Sequence, residues 1–133
     1  MPVSAPTLTK LEVIFTNQPA PRPDGKNLWI DIDVNLKKLT ALFHCQPTEH
    51  VGSHSKRTVT YRADHDCVLR FSDRVVFDRD SVQLIANKEI ALSVADGINN
   101  VQTNYEIWSG TGNVMDVMIP LSAPRTNPHI VVP

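Results

Sequence analysis

Through the middle of the chain, apolar and polar positions alternate with a period of two. Leu28, Ile30, Ile32 and Val34 alternate with Trp29, Asp31, Asp33 and Asn35, which predicts a strand with one buried face. Val59, Tyr61 and Ala63 repeat the pattern against Thr58, Thr60 and Arg62, and Val82, Leu84 and Ala86 against Ser81, Gln83 and Ile85. Ile90, Leu92 and Val94 follow, and then the longer run Val101, Thr103, Tyr105 and Ile107. Each run is short, rich in β-branched or aromatic residues, and closed by turn formers such as Asp96-Gly97. Strands at such spacing predict a sandwich or a barrel.

Residues 35–44 fit two periods. Leu36, Leu39 and Phe43 share one helical face behind Asn35 as a cap, whereas Leu39, Ala41, Phe43 and Cys45 share one strand face after a turn. Consecutive strands tend to pair, so the hairpin with the preceding strand is favoured.

Proline sharpens the outline. It lies at positions 2 and 6, at 19, 21 and 23, and at 120, 124, 128 and 133, while Pro47 is alone between residues 27 and 119. A residue without a backbone donor belongs in loops, edge strands and tails. The inner segment must therefore carry most of the core, with 19–25 a stiff connection and 120–133 a Pro-rich C-terminal strand. With 133 residues, one domain spanning 1–133 is expected. The expected class is all-β: an antiparallel β-sandwich, immunoglobulin-like or cupredoxin-like, of about seven to nine strands. Its core should include Val13, Phe15, Ile30, Ile32, Phe43, Leu69, Phe71, Leu84, Leu92, Val94 and Ile107.

Charge narrows the partners. Thirteen basic and fourteen acidic residues leave a net charge of -1, too balanced for a nucleic-acid or anionic-lipid footprint. No apolar run is long enough for a membrane span, and Met1-Pro2-Val3-Ser4-Ala5-Pro6 does not open like a secretory signal. A cytoplasmic location is expected, where Cys45 and Cys67 would be buried thiols rather than a disulfide.

Four groups of residues carry candidate chemistry. His44, Cys45, His50, His54, His65 and Cys67 are zinc or copper ligand types, and a loop over 46–55 would fold His50 and His54 together. His50, His54, His65 and Cys67 form the candidate metal set. Against it, no C-x-x-C pair occurs, and Cys67 is followed by Val68-Leu69-Arg70-Phe71 rather than by the His and Met of a blue-copper loop. No cofactor is expected. The acids Asp31, Asp33, Asp64, Asp66, Asp73, Asp78 and Asp80 are interleaved with Arg62, Arg70, Arg74 and Arg79, as on a mixed sheet surface. Ser109-Gly110-Thr111-Gly112-Asn113 precedes a strand-like run, Val114 to Ile119, so it reads as a hairpin loop and not as a phosphate loop. Trp29, Tyr105 and Trp108 are the candidate ligand-binding aromatics. Both tryptophans fall opposite their strands' apolar stripes, exposed or covered on two sides.

The C-terminal segment Asn127-Pro128-His129-Ile130-Val131-Val132-Pro133 resembles the Asp-Pro-x-I-x-V-x-Pro-like close of small bacterial β-sandwich proteins grouped as the DP-EP family. Asn127 stands at the place of the motif's Asp, and Val132 where a Glu precedes the last Pro. The hairpin from Leu28 to Cys45 is similar to the opening hairpin of such domains. The resemblance implies the fold and supplies no site residues. No catalytic constellation has the required spacing. The expected function is a non-enzymatic binding or assembly module, with a homo-oligomer or a protein partner. Metal binding through the histidine and cysteine set, and carbohydrate binding through the aromatics, are the alternatives.

Overall fold

Asn35 decides the ambiguous segment. In the computed structural model, which describes residues 8–23, 27–51, 56–111 and 128–132, its side-chain oxygen accepts hydrogen bonds from the Lys37 and Lys38 amides at 3.1 and 3.0 Å. That closes a single turn, and Leu39 leaves it in the left-handed region at φ 53°, which ends any helix. The chain then returns as a strand antiparallel to the one before, pairing Asn35 with Thr40 and Ile32 with Phe43. The hairpin expectation holds with one correction: Ala41, Phe43 and Cys45 are buried, but Leu39, expected on the same inward face, is exposed because it still belongs to the turn.

The described residues form eleven strands and no helix: β1 (Thr9–Lys10), β2 (Glu12–Phe15), β3 (Leu28–Asn35), β4 (Thr40–Phe43), β5 (Thr48–His50), β6 (Thr58–Ala63), β7 (Cys67–Phe71), β8 (Ser81–Leu84), β9 (Glu89–Ser93), β10 (Val101–Ser109) and β11 (His129–Val132). One sheet runs β5-β11-β10-β7-β8, with β1 also on β10; the second runs β2-β4-β3-β6-β9. Two sheets that do not close into a barrel are consistent with a β-sandwich.

The sheets are mixed, which corrects the expectation of a wholly antiparallel fold. β2–β4, β3–β6 and β5–β11 are parallel pairs. The reason lies in the connections. After β4 runs back along β3, the chain crosses to the other sheet as β5 and returns on the opposite edge of β3. It enters at the end where β3 begins, so β6 must run parallel to it. β5 itself is a second correction, since residues 46–55 read as a loop in the sequence; residues 52–55 of that stretch, like the strand-like run 114–119, lie outside the described residues.

One apolar cluster draws on both sheets and takes in Ile30, Ile32, Phe43, Leu69, Phe71, Leu84, Leu92, Val94 and Ile107, with Val13 and Phe15 packed at its margin. Burying each of these side chains contributes about 1.5–3 kcal/mol. An aromatic group sits within it: Tyr105 lies 5.5 Å from Phe71, 5.8 Å from Tyr61 and 6.0 Å from Phe43, centroid to centroid. Cys45 and Cys67 are free and buried. The Pro-rich connection is tied down by polar contacts. The Ala20 amide donates to Glu49 Oε2 at 2.9 Å, the Arg22 guanidinium to the His50 carbonyl, and the Trp29 amide to the Pro21 carbonyl at 3.0 Å.

Candidate ligand-binding face

Alternation on β3 sends its apolar residues inward and leaves Trp29, Asp31 and Asp33 on the outer face of the second sheet. The parallel register sets Trp29 beside Thr60 and Asp31 beside Arg62 on β6. On the other side of β3, the His44 amide donates to the Asp31 carbonyl at 2.9 Å, and His44 Nε2 lies 2.7 Å from Asp33 Oδ2. These residues line two neighbouring concavities. One, of about 350 Å³, is lined by Asp31, Asp33, His44, Arg62, Asp64 and Asn87 among others. The second, of about 270 Å³, is lined by Pro23, Asn27, Leu28, Trp29, Thr58 and Thr60.

The charged groups here fall into two kinds. Asp64 and Asp66 build the turn after β6: Asp64 Oδ1 accepts the Val34 amide at 2.8 Å and faces His65 Nδ1 at 3.0 Å, and Asp66 Oδ1 accepts the Ala86 amide at 2.8 Å. Burial would raise the Asp64 carboxyl, but the hydrogen bonds from His65 and Val34 and the His65 charge outweigh it and hold it below its ordinary value. Asp31 and Arg62 are different. They stand in register and line the same groove, yet they form no ion pair with each other. A guanidinium fork and a carboxylate thus both face the groove with their hydrogen-bonding capacity open to it. The Asp33–His44 pair is well wetted, with side chains 59% and 42% exposed, so it orients the imidazole more than it stabilises the fold.

The expected aromatic trio does not share a face. Trp29 is half-buried on the outer face. Tyr105 lies in the core. Trp108 points away from that core but is covered, packed with Val68 and Leu8, and its Nε1–H donates to Glu106 Oε1 at 3.0 Å. Trp108 is therefore the case of a tryptophan covered on two sides.

The histidine and cysteine set is dispersed as far as it is described. His50 is exposed on β5, His65 is half-buried in the turn after β6, Cys67 is buried in the core, and His54 lies outside the described residues. Among the described residues, no three His, Cys, Asp or Glu side chains are placed to hold a metal ion. Burial, helped by the Asp64 and Asp66 charges, pushes the Cys67 thiol up to about 12; burial, helped by Glu49, does the same for Cys45. Both are neutral near pH 7 and poor nucleophiles.

Two buried carboxylates escaped the reading of the sequence. Glu49 joins loop to strand by accepting the Ala20 and Gln46 amides. Glu106, on the outer face of β10, faces Lys10 Nζ at 3.2 Å and Arg70 at 3.4 Å as well as the Trp108 indole. The available signal was Glu106's position two residues from Trp108 on one strand face.

No family model, curated protein or solved structure matches the chain.

Proposed function

We propose that this chain is a non-enzymatic binding module whose ligand face is the outer surface of the β2-β4-β3-β6-β9 sheet. The observation that carries the reading is the side-by-side Asp31 and Arg62, which line one concavity two residues along β3 from Trp29, which lines the second. An acceptor and a forked donor side by side, next to an aromatic ring, are the few polar groups and the apolar surface that a ligand site combines. The parallel pairs β2–β4 and β3–β6 favour the cupredoxin-like alternative, since immunoglobulin sandwiches are built from antiparallel sheets. The DP-EP resemblance fits such a fold, and two buried free thiols fit a reducing, cytoplasmic setting.

A fragment screen read by amide chemical shifts tests the face. Hits should cluster at residues 29–33, 44 and 60–62; hits gathered on another surface, or none at all, would refute it.

Assembly through strand edges is a second reading. Among the described residues, β9 and β8 end their sheets, and a sheet edge is where a second chain can add a strand. Light scattering should then report a dimer or larger species, and a monomer at high concentration would dismiss the idea.

A further inference from the structure

We infer that the ligand of this face is a neutral oligosaccharide lying along β3, an inference that rests on the binding-face reading above. Three observations select it. First, Trp29, Asp31 and Asp33 are outward neighbours on one strand, spaced about 7 Å apart. They make a row from an aromatic plane to a polar end, the length of a short chain of sugar rings rather than of one.

Second, the chemistry along the row alternates as a sugar's does. The half-buried Trp29 indole lines its pocket, and an aromatic ring is the side chain on which the C–H groups of a sugar ring pack. Asp31 and Arg62 then supply an acceptor and a forked donor side by side, the complement of adjacent hydroxyls, each of which both donates and accepts.

Third, the charge of the lining argues against an anionic ligand. A polyanion would meet Asp31, Asp33 and Asp64, three carboxylates against the single arginine Arg62, and a polycation is the competitor that the spermine titration discriminates. A hydroxyl-rich neutral ligand satisfies both signs at once and leaves no like charges in contact.

Isothermal titration and tryptophan fluorescence test this with three probe classes: a panel of neutral hexose and pentose oligosaccharides, a heparin fragment as polyanion, and spermine as polycation. At least one neutral oligosaccharide should bind, and Trp29→Ala should weaken it roughly tenfold or more, as for an aromatic at the centre of a small interface. Arg62→Ala and Asp31→Asn, both at exposed positions, should each weaken it with an unchanged melting temperature. These two variants keep the test sound if Trp29→Ala disturbs folding. Binding of heparin or spermine at residues 29–33 and 60–62, with no neutral oligosaccharide bound, overturns the ligand class and leaves the face standing. Neutral-sugar binding that survives all three substitutions overturns both.

Discussion

Glu106 offers the sharpest quantitative test of how the structure is held together. Its side chain is 1% exposed, and its carboxylate meets the Trp108 indole at 3.0 Å, Lys10 at 3.2 Å and Arg70 at 3.4 Å. Glu106→Ala takes this acceptor from Trp108 and from Arg70, whose side chain is only 12% exposed. Removing one member of a buried charge pair costs about 3–5 kcal/mol when the other is left without compensation, and Arg70, which keeps a further interaction, belongs at the lower end. The 3.4 Å Arg70 contact and the wetted Lys10 argue for the lower end, about 3 kcal/mol. For a chain of this length that corresponds to roughly 10–15 °C in melting temperature. Denaturant unfolding, with an unchanged slope, would measure it. Replacing both partners, Glu106→Leu with Arg70→Met, should recover most of the loss. A Glu106→Ala cost below about 1 kcal/mol, or a double variant no better than the sum of the singles, would refute the argument.

Other expectations follow from the same structure. Ile32→Ala or Leu92→Ala, each at a buried site joining the two sheets, should cost about 2–5 kcal/mol in denaturant unfolding. Leu39→Gly should raise stability by about 0.5–1 kcal/mol, since Leu39 is exposed and sits at φ 53° where glycine carries no steric penalty. Stability should be full below pH 9 and fall as pH rises from about 9 towards 12. In that window the unfolded chain loses protons from Cys45 and Cys67, while burial keeps both thiols protonated in the folded one. Melting curves across that range check this, and a flat profile would contradict the burial of the thiols.

What the sequence could reveal tracks how local each cause is. Alternation from Leu28 to Val34 and from Val59 to Ala63 placed β3 and β6 and oriented Asp31, Asp33 and Arg62 outward, because side-chain direction in a strand depends on the strand alone. Which strands lie side by side does not. That Asp31 stands beside Arg62 depends on β6 returning parallel to β3, which depends in turn on the excursion through β5. β5 is three residues of mixed polarity around a buried Glu49, too short for a period to register. Trp108 shows the same limit on the outer face of the first sheet. The alternation predicts its direction, but only tertiary packing, here against Val68 and Leu8, decides that an outward face is covered.

The indole resonances of Trp29 and Trp108 give the most direct test of the binding face. The chain has two tryptophans, so a proton–nitrogen spectrum resolves them, and Trp29→Phe assigns the pair. On titration with the neutral oligosaccharide panel, the Trp29 indole should shift while Trp108, covered and bonded to Glu106, stays in place. A shift at Trp108 alone, or no shift at either, would contradict the account.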